Sequence, residues 1–320
     1  MPDLVSKRIL ITGGSGFIGR HVVDLLAADG NAPLTTARQT MATGDLRGPK
    51  TVGLDVADQA GVEDLIGSYR PDLVVHLAGV TGHNDPDGRL CREVNYTGTV
   101  NLLKALEKHG VERVVLIGSA GEYGDHPTPF REPMEPRPTS HYAASKAEAN
   151  QFALKLHADS GLPVTILRVF TSWGYGQPSK MFFSQVIKHG LANSRFVMSD
   201  GLQKRDFVHV ADVARAIRSS LFSEGAVGRV INIGSGRGTA LRDLASEIWE
   251  LCGADPALLD IGGRGKTGED SYDTVADITL AGEVLDWHPA TFILDGIDSR
   301  HPLTQVIERM RRDSDVCTPR

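Results

Sequence analysis

The chain has 320 residues, 41% of them hydrophobic, enough to bury a sizeable core in one large domain or two modest ones. Its formal net charge of -6 is spread along the sequence, which excludes a basic nucleic-acid footprint; the one basic cluster, Arg309, Arg311 and Arg312, reads as a solvated helix end. The cysteines Cys91, Cys252 and Cys317 are odd in number and far apart, so neither a disulfide framework nor a metal clamp is expected, and a reducing cytoplasm fits.

At the N-terminus Asp3, Lys7 and Arg8 interrupt any secretory apolar region, and no later run approaches the ~20 apolar residues of a membrane span. Short β-branched runs then alternate with helical patterns: "RILIT" (8–12), "PLTTAR" (33–38), "TVGLD" (51–55), "LVVHLA" (73–78), "RVVLIGS" (113–119), "VTILRV" (164–169) and "RVINIG" (229–234). Near-continuous apolar strands separated by helices imply an α/β fold with a doubly wound parallel sheet, the Rossmann arrangement. Helices are expected from Phe17 to Ala28, after the cap Asp58, from Arg89 to His109, and from the cap Ser140 to Ser160 before Gly161. Alternation weakens at "WGYGQPS" (173–179), so residues 1–174 are expected to form the dinucleotide-binding domain and 175–320 a smaller substrate lobe, with a segment near 204–234 returning to the first.

Between the first strand and helix, "TGGSGFIG" (12–19) carries Gly13, Gly16 and Gly19. Three glycines there let the backbone turn tightly and aim helix N-terminal amides at a pyrophosphate, the chemistry of dinucleotide binding. An acid at the end of the second strand would hold a ribose 2′-hydroxyl, but the strand ends in Arg38, whose guanidinium suits a 2′-phosphate. NADP(H) is therefore the expected cofactor, with NAD(H) as the alternative. Asp55, closing the third strand, stands where an adenine contact is expected.

"SHYAASKAEA" (140–149) places Tyr142 and Lys146 four apart, on one face of a helix. An ammonium beside a phenol favours phenolate and is expected to lower the tyrosine pKa into a range useful for proton exchange. Ser119 ends the fifth strand at the sheet edge where open α/β folds bind ligands, so its hydroxyl is placed to meet a substrate oxygen. His76 and His209 read as core or supporting residues, no paired-His metal spacing occurs, and Trp173 reads either as a pocket wall or as packing.

With "HLAG" (76–79), "NYTGTVNLL" (95–103), "GSAGEYG" (118–124), "RVFTSWGYGQ" (168–177), "RDFVHVADV" (205–213) and "INIGSG" (231–236), the chain resembles the extended short-chain dehydrogenase/reductases of the nucleotide-sugar epimerase/dehydratase group. The resemblance implies that Tyr142 is the acid/base, that Lys146 holds the nicotinamide ribose, and that Ser119 completes the triad. It further implies cofactor contacts from Gly13, Ser15, Gly16, Phe17, Ile18, Gly19, Arg38, Asp55, Val56, Leu77, Ala78 and Gly79, besides Tyr142 and Lys146. A nucleotide sugar is the implied substrate, with Arg205 at its diphosphate. Thr171 stands where asparagine is usual and Lys266 where a second arginine is common. Members of this group commonly pair through the helices near 89–109 and 140–160, so a homodimer is expected.

Sugar dehydratases carry an acidic residue directly after the strand-five hydroxyl. Ala120 and Gly121 cannot move protons, so dehydration is disfavoured. Glu122 reads equally as a loop support or a substrate contact. The expected reaction is an NADP(H)-dependent reduction of a nucleotide-linked 4-keto-6-deoxy sugar; the alternatives are an NAD-dependent 4-epimerase and, remotely, a non-catalytic dinucleotide sensor.

Overall fold

A computed structural model of the chain describes residues 7–38, 50–81, 85–265 and 272–316. Strands that are apolar at every position require cover on both faces. β1 (Ile9–Thr12) is buried throughout and leads into α1 (Phe17–Ala28), β2 (Leu34–Ala37), β3 (Thr51–Gly53), α2 (Gln59–Tyr69) and β4 (Leu73–His76). The Asp58 carboxylate caps α2 by accepting from the Ala60 amide at 3.1 Å. Next come α3 (Arg89–Cys91), a π-helical turn over Arg92–Thr97, α4 (Gly98–His109) and β5 (Arg113–Ser119). α5 (His141–Ser160) starts at Ser140, whose hydroxyl accepts from the Ala143 amide at 3.2 Å, and stops at left-handed Gly161.

β6 (Val164–Val169), β7 (Thr171–Trp173), α6 (Phe182–Leu191), β8 (Phe196–Met198) and β9 (Lys204–His209) follow. The chain continues through α7 (Val210–Ser220), β10 (Val230–Ile233), β11 (Gly238–Ala240), α8 (Leu241–Cys252), β12 (Leu259–Ile261), α9 (Thr279–Leu285) and α10 (Pro302–Val316). Among the described residues, no helix is long and apolar enough to cross a membrane.

Seven strands form one parallel sheet in the order β10-β6-β5-β4-β1-β2-β3. The order reverses between β1 and β4, which opens a crevice at their C-terminal ends. Side chains alternate across the strands, so Ile9 and Ile11 meet Val22 and Leu26 of α1 and Val213 of α7, whereas Leu10 joins the opposite layer with Ile66 of α2 and Leu102 of α4. A smaller sheet, β11-β9-β7, and the pair β12-β8 pack with α6, α8 and α10 around Trp173, Phe183, Ile248 and Leu303.

The differences from the sequence-based expectations are local. The helix expected over 89–109 is broken by the π turn, which swings Asn95 inward: its carbonyl accepts from the Val80 amide at 2.8 Å and its amide donates to the Val80 carbonyl at 3.0 Å. The fourth strand ends at His76 because the Ala78 amide turns to donate to the Thr12 hydroxyl at 3.2 Å. Of the segment 204–234, α7 and β10 pack with the large sheet, whereas β9 belongs to the small one.

His76 is fully enclosed in this frame. Its Nδ1 lies 2.7 Å from the Thr12 hydroxyl and its Nε2 lies 3.0 Å from that of Thr99. Thr99 donates to the Asn95 carbonyl, so Nε2 must carry the proton and Nδ1 must accept. Burial lowers the His76 pKa to about 3, with the Lys146 charge adding to the effect. An unfolded chain binds a proton here below pH 6.5 while the native one does not, so this residue's contribution to stability falls as pH drops from 6.5 towards 3. Ring nitrogen NMR is expected to show the neutral Nε2–H tautomer unchanged from pH 7 to about 5, well above that depressed value.

Candidate active site

The crevice at the switch point is a cleft of about 210 Å³ bordered by the glycine loop, the ends of β2 and β4, and the segment after β3. Gly13 has φ +69, and a Cβ there would lie 2.7 Å from the Ala78 nitrogen; a Cβ on Gly19 would lie 2.4 Å from the Gly13 carbonyl oxygen. Only glycine permits this turn to lie against β4 while the helix closes over it. No side chain caps α1, so its first amides face the loop, as a bound phosphate requires. The residues present fit a dinucleotide: a glycine cradle that side chains would fill, at an uncapped helix start.

Gly13, Ser15, Gly16, Arg38, Asp55, Val56, Leu77, Ala78 and Gly79 all line the cleft. Phe17, Ile18 and Gly19 form the first turn of α1, with Ile18 packed into the core and Phe17 edge-on to His21, so they offer main-chain groups there. Thr36, Ala37, Leu54 and Val94 also line the cleft and carry no sequence signal beyond adjacency to the expected residues. A wider groove of about 510 Å³ between Pro129, Arg237 and Phe292 contains none of these groups.

Beside the cleft, Ser119 leaves β5 and its hydroxyl accepts from the Gly121 amide at 3.2 Å. Lys146, one turn along α5, is buried and donates to the Ile117 carbonyl at 3.0 Å. A Cβ on Gly79 would lie 3.3 Å from its Nζ, so the lysine reaches the cleft wall. Burial lowers the Lys146 pKa to about 8, against the opposing pull of Glu122 and the Cys91 sulfur. The expected lowering of the tyrosine pKa is not found. Burial raises it, Glu122 and Cys91 add to the rise, and the nearby Ser119 hydroxyl only opposes it.

Asn95 was not singled out from the sequence, yet it ties the cleft to the tyrosine helix, donating to the Ser145 hydroxyl at 3.0 Å. Its only sequence signal is its place in "NYTGT", because the π turn that aims it inward has no local signature. Trp173 is packing: it is buried against Phe183, His209 and His301. His209 is likewise a neutral interior residue, with burial lowering its pKa to about 4. Thr171 and Arg205 sit on the adjacent strands β7 and β9, and Arg205 donates to the Tyr272 carbonyl at 2.6 Å with its guanidinium over the Tyr272 ring. Lys266 lies outside the described residues.

A glycine cradle at the switch point of a doubly wound sheet, with a serine, a tyrosine and a lysine beside it, defines a dinucleotide-dependent enzyme. The chain belongs to the NAD dependent epimerase/dehydratase family, whose sequence profile matches residues 9–234. It is 31% identical to GDP-6-deoxy-D-mannose reductase of Pseudomonas aeruginosa, over 77% of this chain and 81% of that protein. Among solved structures, it superposes with TM-score 0.84 at 31% identity on MoeE5 in complex with UDP-glucuronic acid and NAD, covering 96% and 99% of the two chains. It also superposes with TM-score 0.85 at 26% identity on UDP-glucose 4-epimerase of Thermotoga maritima with UDP-glucose, again covering 96% and 99%.

Gly13→Ala tests the cradle. It is expected to destabilise the protein by about 1–3 kcal/mol, through the positive φ and the contact with Ala78. Dinucleotide affinity should fall at least about tenfold, the equivalent of 1.4 kcal/mol, in a titration of bound reduced cofactor fluorescence.

Proposed function

We propose that the protein is an NADP(H)-dependent 4-ketoreductase of a nucleotide-linked 4-keto-6-deoxy sugar. The observation that carries this reading is the placing of Tyr142 and buried Lys146 one turn apart on α5, beside the glycine cradle, with a phenol pKa raised by burial above its ordinary value of 10. At neutral pH such a tyrosine holds its proton, the form needed to protonate a carbonyl oxygen. When bound, the cofactor supplies hydride to the sugar C4.

Tyr142 gives its proton to the C4 oxygen as the carbonyl becomes an alcohol, and its phenolate is then reprotonated from solvent. Ser119 holds that oxygen by hydrogen bonding, and Lys146 offsets the charge left on the phenolate and orients the nicotinamide ribose. Arg205 meets the diphosphate of the substrate, with Thr171 on the neighbouring strand. Water elimination is disfavoured because the strand-five turn offers only Ala120 and Gly121, while Glu122 is buried in an ion pair with Arg168 at 2.9 Å. Exposed Arg38 at the cleft rim, with no acid at the end of β2, supports NADP(H) over NAD(H).

A second reading, an NAD-dependent 4-epimerase, is favoured by the likeness to the Thermotoga maritima enzyme. That reaction must first remove a proton from the C4 hydroxyl, for which a high phenol pKa is less suited, and it would retain its cofactor through purification.

Mixing the purified protein with NADPH and a 4-keto-6-deoxy nucleotide sugar should consume cofactor stoichiometrically. An inert mixture with NAD found bound in the protein would shift the assignment to the epimerase. Tyr142→Phe should keep cofactor affinity within about twofold and lower kcat by about 10²–10⁴-fold, the range of acid–base catalysis. Arg38→Ala should weaken NADPH about tenfold, roughly one charge-assisted contact, and spare NADH. The reductase rate should fall as pH rises through about 8, where Lys146 loses its proton, with Tyr142 still protonated there.

A further inference from the structure

Arg20 is the fourth residue of α1 and is exposed, beside the glycine cradle but outside the residues expected from the sequence to touch the cofactor. Its side chain runs back towards the helix start, as long helical side chains do, and its Nε donates to the Gly16 carbonyl at 3.4 Å. Gly16 lines the cleft, so the guanidinium stands at the cleft rim. On its other side lies the loop after β7, where Gly176 has φ +86 and a Cβ would sit 2.8 Å from Arg20 Nη1. The same loop meets α1 at the next residue, His21, whose Nε2 lies 3.3 Å from the Tyr175 carbonyl oxygen. The break in alternation at "WGYGQPS" thus has a local use: Gly176 admits the arginine.

A cation in the first turn faces the positive end of the helix dipole and is destabilising there unless an anion offsets both. Among the described residues Arg20 makes no ion pair, although Asp24 stands one turn further along α1, and its Nη groups have no acceptor. The side chain is turned towards the cradle and away from the acid on its own helix.

We propose that Arg20 is a second contact for the cofactor pyrophosphate, its guanidinium adding a charge-assisted pair to the main-chain amides of the α1 start and held at the rim by the loop at 174–177. The assignment rests on reading the cleft as a dinucleotide site and is independent of which reaction follows. Arg38 at the end of β2 and Arg20 at the start of α1 then divide the cofactor: the first meets the 2′-phosphate, the second the phosphates common to NADP(H) and NAD(H).

The test is calorimetric titration of the full chain with ADP-ribose, which keeps the pyrophosphate but lacks the nicotinamide and a 2′-phosphate, alongside NADPH and NADH. Arg20→Gln should weaken all three about tenfold, roughly one charge-assisted contact, with thermal stability unchanged; Arg20→Lys should recover part of the loss, because the charge returns without the planar fork. Gly176→Ala, which displaces the guanidinium, should weaken ADP-ribose in the wild-type background and leave the Arg20→Gln affinity within about twofold, the non-additivity of two changes to one contact. Where NAD is found bound in the purified protein, the bound fraction is read instead and should fall with Arg20→Gln.

ADP-ribose affinity or bound NAD left unchanged by Arg20→Gln would overturn the inference, and a lowered melting temperature beside it would make Arg20 a strut between α1 and the loop. A wild-type protein that binds ADP-ribose through Arg20 yet consumes no NADPH with any ketosugar would overturn the reductase and leave this contact standing. One that carries no cofactor and binds none of the three ligands would overturn the contact and the dinucleotide reading together.

Discussion

A carboxylate removed from water must find charge and hydrogen bonds within the protein, and Glu122 finds them from three elements at once. Asn150 comes from α5, Arg168 from β6, and the Ser119 amide from the end of β5. Satisfying this one group fixes how α5 crosses the sheet and therefore where Tyr142 and Lys146 stand relative to Ser119. Arg168, buried in turn, is covered by Tyr123, whose hydroxyl reaches Asn232 on β10. The last strand of the sheet is thereby tied to the edge where Ser119 emerges.

The cofactor side is governed by a steric constraint instead. The backbone at Gly13 lies against the Leu77–Ala78 peptide, and Gly19 lies against the carbonyl of Gly13 itself. These approaches leave the start of α1 uncapped and facing the cleft. The Thr12 hydroxyl, accepting from Ala78 and donating to His76, locks the same crossing from beneath. Its chain of hydrogen bonds continues through Thr99 and the Asn95 main chain, while the Asn95 side chain reaches Val80 and Ser145. A buried neutral imidazole is thus a joint between the glycine loop and the tyrosine helix. It supports both without touching either reaction partner.

These two constraints bear on the direction of the chemistry. A half-buried phenol, desolvated by its surroundings and near the charge of Glu122, is held in its protonated state. Lysine beside it does not reverse that balance, because its ammonium is directed to the Ile117 carbonyl and is itself desolvated. Proximity along a helix predicted that the two would share a face; it could not predict which of burial and charge would win.

Much of the fold was legible in the chain because its signals are local. Runs such as "VTILRV" can only be central strands, Asp58, Ser140 and Gly161 stop and start helices by their own side chains or conformation, and the glycine spacing after β1 declares a phosphate loop. Ser119, Tyr142 and Lys146 were likewise singled out by position, at a strand end and one helical turn apart. What only the tertiary structure decided depends on partners distant in sequence. Glu122 became an architectural anion because Arg168 and Asn150 meet it, Asn95 turned inward through a π turn that no local pattern announces, and Trp173 became core because α6 and α10 close over it. Local backbone preference writes elements into a sequence; desolvation and charge pairing act only once those elements have met.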